Sequence, residues 1–225
     1  MDLDKHTSPL AFSIKSLLII ALLFSMNNIT TTAQTETQQP NIDFAPQWAK
    51  EVVWYQIFPE RFCNGDTKND PTLESIKGSW PHDSKSDWQV HPWTSDWYEL
   101  QPYEKKNGND IWYNLQRRRY GGDLQGIINK LDYIKELGIG AIYLNPVFEA
   151  PSLHKYDGAT FHHIDPNFGP DPEGDRNLIK TEIPDDPKTW VWTAADKLFL
   201  KLVDEVHKRG MKIIIDGVFN HVGKQ

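Results

Sequence analysis

The order of apolar runs and amphipathic segments constrains this chain more than any other feature. Val52-Val53-Trp54-Tyr55-Gln56-Ile57-Phe58 is a nearly continuous apolar and aromatic run that stops at Pro59, as a strand covered on both faces would. From Asp123, the residues Leu124, Ile127, Ile128, Leu131, Ile134 and Leu137 recur at spacings of three and four. That spacing puts one apolar stripe on a single helix over 123–137. Asp123 suits its N-cap, and Gly138 the left-handed position past its end. Ala141-Ile142-Tyr143-Leu144, stopped by Asn145-Pro146, reads as a second strand. Thr193 opens another helix, with Asp196 three residues on in a capping-box arrangement. Ala195, Leu198, Phe199, Leu202 and Val206 line its apolar side, and Gly210 ends it. Lys212-Ile213-Ile214-Ile215 is then a third strand, broken off at Asp216.

Strand, helix, strand, helix, strand is a βαβαβ order, which implies parallel strands and right-handed crossovers. An open doubly wound sheet and the start of a barrel both satisfy it. No glycine-rich phosphate turn follows the first strand, where a dinucleotide-binding sheet would place one. The long segments at 60–122 and 149–189 both follow strand C-termini, where a barrel builds its site. The expected fold is therefore α/β, the N-terminal part of a (β/α)8 TIM barrel with about three strands and two helices. Both long segments read as irregular loops.

The first residues have a different character. Lys5, His6 and Lys15 precede the short apolar run Leu17-Leu18-Ile19-Ile20-Ala21-Leu22-Leu23-Phe24, and Thr30-Thr31-Thr32-Ala33 comes after it. This is the pattern of a signal peptide over 1–33, too short to span a membrane, with cleavage expected after Ala33 and a retained anchor as the alternative. A polar linker over 34–46 would lead into the barrel portion, 47–225. A secreted or periplasmic protein is expected. With one cysteine, Cys63, it has no internal disulfide. The net charge of −7 argues against nucleic acid as a partner.

Three constellations carry candidate chemistry. Asn64-Gly65-Asp66-Thr67-Lys68-Asn69-Asp70, with Gly121-Gly122-Asp123 further on, offers the dense oxygen donors that a hard cation wants, though turn chemistry alone would produce the same residues. His154-Lys155-Tyr156-Asp157 comes after the second strand, where a tyrosine either stacks on a sugar or packs the loop. Asp216, Asn220 and His221 end the third strand, in a structural or a functional role. No cysteine or histidine cluster completes a zinc site, and no nucleophilic serine elbow is present. Trp80, Trp88, Trp93, Trp97, Tyr98, Tyr103, Trp112, Tyr113 and Tyr120 crowd the first long segment, suited to sugar faces or to packing that segment down.

Four separated stretches together resemble the α-amylase superfamily, glycoside hydrolase family 13. They are Trp54 to Phe62 (WYQIFPERF), Tyr120 to Ile127 (YGGDLQGI), His154 to Asp157 (HKYD) with Ile164 to Gly169 (IDPNFG), and Asp216 to His221 (DGVFNH). The Gln-Ile-Phe-Pro and Asn-Gly-Asp stretches look most like its cyclomaltodextrinase, neopullulanase and maltogenic amylase branch. The resemblance implies a retaining α-glucosidic hydrolase acting on an α-glucan, with Ca2+ held by Asn64, Asp66, Asn69, Asp70, Gly121 and Asp123. It implies that Tyr156 stacks under a sugar, that His221 bonds a sugar hydroxyl and that Asp216 braces the strand end. Asn220 matches a second calcium position of many amylases. Phe161-His162-His163 departs from the family's usual Asp-Tyr. The resemblance also implies that the nucleophile and acid–base belong to later strands, so that none lies here, the chain is an N-terminal piece, and it is inactive alone. A non-catalytic sugar-binding relative is the rival expectation. Ile213-Ile214-Ile215, as an unpaired apolar edge, would limit solubility.

Overall fold

The structure, a computed structural model, describes residues 44–223. The expected signal peptide and most of the linker lie outside the described residues. The chain divides between Phe44 and Ala45, and all of its described strands and helices belong to the unit from Ala45 onward.

Three parallel strands form one sheet in the order β1-β2-β3. They are β1 (Val53–Ile57), β2 (Ile139–Leu144) and β3 (Lys212–Ile215). Ile57 pairs with Leu144, and Leu144 with Ile215, so the C-terminal ends stand level. The ladder runs one step further on each side. Asn145 N donates to Ile57 O and Asp216 N to Leu144 O, both at 2.9 Å. Asn145 and Asp216 are thereby fixed on the same rim.

The helices, after a short α1 (Gln47–Glu51), keep the expected order with differences. The apolar stripe at 123–137 makes two helices, α4 (Leu124–Asn129) and α5 (Leu131–Glu136), separated at Lys130. There the amide bonds the carbonyl of Ile127 at 3.0 Å, an i−3 contact that tightens the turn. Leu124, Ile127, Leu131 and Ile134 are fully buried, but Leu137 is half exposed because the stripe ends before it. Gly138, at φ 80°, takes the left-handed position expected of it. The last helix, α7 (Ala194–Lys208), carries the expected box: Asp196 N donates to Thr193 Oγ1 and Thr193 N to Asp196 Oδ2, each at 3.0 Å. Leu202 and Val206 on α7 meet Leu124 and Ile127 of α4, and both helices cover Ile142, Leu144 and Met211. Each such buried aliphatic side chain contributes roughly 1.5–3 kcal/mol.

The long segments are not structureless. Helices α2 (Pro102–Lys105), α3 (Ile111–Arg117) and α6 (Pro172–Ile179) lie inside them. Polar surfaces around short apolar patches hid these turns from a periodicity reading. The expectation that β1 is buried on both faces is also corrected. Val53 is 60% exposed and Trp54 37%, because β1 pairs with β2 alone, Val53 stands at the outer start of the strand, and Trp54 rests against Trp48 of α1 rather than under a second layer. The central strand β2, by contrast, is buried along most of its length.

Candidate functional site

The rim of the sheet brings the second and third constellations together. Tyr156 OH donates to Asp216 Oδ2 at 2.7 Å. His221 Nε2 donates to the backbone carbonyl of Tyr156 at 2.9 Å, and its Nδ1 lies 3.1 Å from Asn220 Oδ1. Two stretches far apart in sequence thus close into one ring of contacts. Burial, and then the bond to Asp216, push the Tyr156 phenol up to about 12. The Asp216 carboxylate also raises the phenol of Tyr143 on β2. Tyr156 is therefore a neutral donor at ordinary pH. Asp216 extends the ladder through its amide to Leu144 O and takes the Tyr156 hydroxyl on its carboxylate, so one residue ties the strand end to the loop. Gly223 N donates to Gly158 O at 2.8 Å and fastens the two loops again.

Beneath Tyr156, Lys155 holds the loop's shape. It adopts a left-handed conformation, φ 61°, which is uncommon for a residue with a Cβ. Its buried ammonium pairs with Asp165 Oδ2 at 2.5 Å and the carbonyl of Ala150 at 2.9 Å. The His-Lys-Tyr-Asp and Ile-Asp-Pro stretches are therefore welded by one ion pair. The divergent His163 makes a second clamp, with Nδ1 2.8 Å from Asp196 and Nε2 2.9 Å from Glu182. Burial opposes charge on this ring, but its two carboxylate partners outweigh burial and raise its pKa.

The first constellation also assembles. Gly122 N donates to Glu60 O and Asp123 N to Cys63 O. A Cβ on Gly122 would stand 2.0 Å from Pro59 O, so only glycine permits this approach. Asp123 accepts from Gly126 N (2.6 Å), Asp66 N (2.9 Å), Gly65 N (3.2 Å) and Asn69 Nδ2 (3.2 Å). It caps α4 and ties the Asn-Gly-Asp loop to that helix. Asn64 donates to Asp70 Oδ1 at 2.6 Å, and Asp66 accepts from Lys68 N at 3.0 Å. Against that order, the side-chain oxygens of Asn64 and Asn69 are buried with no hydrogen-bond partner. Asp70 is pushed up by burial, with Asp123 and Asp66 adding repulsion. Among the described residues no three His, Cys, Asp or Glu side chains converge as a metal cluster. A cation here would depend on amide and carbonyl oxygens, and two orphaned amide oxygens beside crowded carboxylates fit one.

Sequence reading missed the buried charges that join these parts. Glu60 accepts from the amides of Tyr120 and Gly121. Burial pushes it up to about 7 against the pull of Arg119. Arg119, lowered by burial to about 10, bonds Ser79 Oγ and Pro151 O. Glu60 and Arg119 lie beside motif residues, but nothing periodic in Glu60-Arg61 or in Arg117-Arg118-Arg119 tells which charge is buried. Two hollows of about 430 and 570 Å3 lie around Asn167 and Arg176, and Tyr156, Asp216 and His221 line neither.

Three level parallel strands covered by helices, with a tyrosine, an aspartate and a histidine joined at their C-terminal rim, make this an α/β fold that gathers its polar side chains at the strand ends. The profile described as "Alpha amylase, catalytic domain" matches residues 56–182, and the chain belongs to that α-amylase family, glycoside hydrolase family 13. Neopullulanase 2 of Thermoactinomyces vulgaris is 39% identical over 180 residues, 80% of this chain and 21% of that protein. The intracellular maltogenic amylase of Bacillus subtilis (strain 168) is 40% identical over 179 residues, with the same shares. Among solved structures, the cyclic α-maltosyl-(1→6)-maltose hydrolase of Arthrobacter globiformis superposes with a TM-score of 0.51 at 32% identity, covering 80% of this chain and 28% of that one. The sheet and its helices match the N-terminal part of the barrel in that family. The chain spans about a fifth of the length of the curated relatives it matches. No helix among the described residues is long and apolar enough to cross a membrane.

Proposed function

We propose that this chain supplies the N-terminal barrel portion of an exported enzyme that hydrolyses α-1,4-glucosidic bonds of maltooligosaccharides, cyclodextrins or pullulan with retention. The observation that carries the reading is the ring of contacts through Tyr156, Asp216 and His221, set at the sheet rim in a chain of the α-amylase family. Tyr156 presents its ring to a sugar face while Asp216 fixes its hydroxyl. His221 pins the tyrosine's backbone and stands exposed for a sugar hydroxyl. The aspartate nucleophile and glutamate acid–base of such a reaction are residues of later strands, and the 225 residues alone give no turnover.

Asn64, Asp66, Asn69, Asp70 and the Gly121 carbonyl, with Asp123 behind them, hold Ca2+. The ion satisfies the orphaned amide oxygens and locks the loop after β1 to α4; it supplies structure and charge balance rather than chemistry at the bond cleaved. A full-length product releasing sugar with the anomeric configuration kept, seen by NMR of the first-formed product, supports the reading. Inversion, or no turnover of any α-glucan, would defeat it. Turnover by the 225-residue chain would defeat the assignment of catalysis to later strands. Export is checked by N-terminal sequencing of the mature protein, with a start after Ala33 expected.

A further inference from the structure

The first long segment holds an aromatic hollow that the Tyr156 site does not use. Arg61, Trp93, Ser95, Trp97 and Tyr120 line a cavity of about 140 Å3. Tyr120 is its floor, 5% exposed and packed edge-on against His91 at 5.1 Å. Trp97 lies nearly parallel to Tyr120 at 5.9 Å, and Trp93 is tilted against it at 5.2 Å. The two indoles remain 42% and 46% exposed. Tyr120, Tyr103 and Trp88 already tie the segment down, the last through a 2.8 Å bond to Arg117 O. What sets Trp93 and Trp97 apart from the more exposed Trp80 and Trp112 is that both face one hollow beside an arginine.

Arg61 supplies the polar side. Its guanidinium sits 4.7 Å from the Trp97 ring centroid and 5.7 Å from that of Tyr120. The guanidinium donates no hydrogen bond to any described residue, and its buried Nε is unpartnered. Its one carboxylate neighbour, Glu60 Oε2, is 4.0 Å away. That carboxyl and the chain's net charge of −7 disfavour an anion as occupant. Aromatic faces beside unused donors suit instead a neutral ring with an apolar face and a hydroxyl edge. The volume is that of a single ring, well below a drug-sized pocket of roughly 300 Å3 or more.

Position adds a further point. Arg61 lies four residues past Ile57, the last residue of β1, and Asp216 one residue past the end of β3. The strands are parallel and level, so both residues follow strand C-termini on the same side of the sheet, one after each edge strand. The two groups share no residue.

We propose that the hollow of Arg61, Trp93, Trp97 and Tyr120 is an accessory glucosyl subsite, which engages a second unit of the same α-glucan chain that meets Tyr156. The inference rests on the α-glucan reading above. The indoles clasp the sugar's C–H face and Arg61 donates to its hydroxyls. Engagement of both sites by one oligosaccharide makes affinity depend on chain length.

Calorimetric titration of the 225-residue chain with maltoheptaose tests this, with folding of each variant verified by its unfolding transition. Trp93→Ala and Arg61→Gln should each weaken maltoheptaose binding roughly tenfold, the scale of one good stacking contact. If Arg61→Gln does not fold, Trp93→Ala decides, since its ring is nearly half exposed. Wild-type binding with unchanged affinity in the folded variants would overturn the subsite while leaving the Tyr156 reading intact. Failure of the folded wild type to bind maltoheptaose would remove the α-glucan reading and the subsite with it.

Discussion

His163 shows how one side chain decides local order. A neutral imidazole carries one N–H, yet both ring nitrogens face carboxylates, Asp196 at 2.8 Å and Glu182 at 2.9 Å. Both contacts call for the protonated ring. Asp196 also caps α7 and accepts from Ile164 N, while Glu182 accepts from Val191 N. The folded pKa of His163 is raised above its ordinary 6.5, so its stabilisation is fully present below pH 6.5 and is lost as pH rises through the folded value. Glu182 and Asp196 are lowered, so their share is present above the carboxylate range and lost in acid. Glu60, raised to about 7, adds a separate fall in stability between pH 4.5 and 7. Denaturant unfolding should therefore show stability declining above pH 6.5 in the wild type. His163→Gln should flatten that upper limb and lower stability at pH 6 by about 3 kcal/mol, the scale of removing one partner of a buried pair. An upper limb unchanged in the variant would dissociate His163 from it. The histidine was visible in sequence only as a departure from a family pattern; its role depended on Glu182, nineteen residues away.

At the scale of elements, the Asn-Gly-Asp loop and α4 are one unit joined at Asp123. The sequence showed the oxygen donors and the cap but not that one carboxylate performs the joining. Asp123 accepts from four residues before any metal is considered, whereas Asp70 is bonded by Asn64 and crowded by other carboxylates. The two aspartates should separate in a thermal unfolding experiment. Calcium should raise the wild-type midpoint and chelation lower it, the added stability reaching about 2.7 kcal/mol at a hundredfold excess over the dissociation constant. Asp70→Asn should abolish most of the calcium increment. Asp123→Ala should lose about 1 kcal/mol or more even in chelator, through the missing cap. An equal calcium increment in wild type and Asp70→Asn would refute the proposed ligand set.

For the molecule as a whole, the exposed strands matter most. Ile214 and Ile215 are 38% and 41% exposed, β3 pairs with β2 alone, and Val53 on the opposite edge is 60% exposed. Apolar edges of this kind template association between chains. Light scattering should show the purified chain aggregating with concentration. Ile214→Lys, a charge placed on the edge strand, should suppress aggregation several-fold without loss of helix signal. A wild-type chain that stays monomeric throughout the concentration series would contradict the edge-strand account.

The βαβαβ order, the caps at Asp123 and Thr193 and the stops at Gly138 and Gly210 are all legible along the chain. These arise from period, propensity and backbone conformation, which act between near neighbours in the chain. The family motifs marked the rim residues Tyr156, Asp216 and His221 for the same reason, as short readable stretches. Tertiary structure alone decided that Tyr156 donates to Asp216, that Lys155 welds its loop to Asp165, and that His163 bridges two carboxylates. It also decided which aromatics are floor and which are shelf: Tyr120 is buried while Trp93 and Trp97 stand open beside an arginine whose guanidinium bonds no described residue. Such outcomes depend on partners brought together from far along the chain, and on which groups burial strips of water. Neither quantity is written in the local pattern.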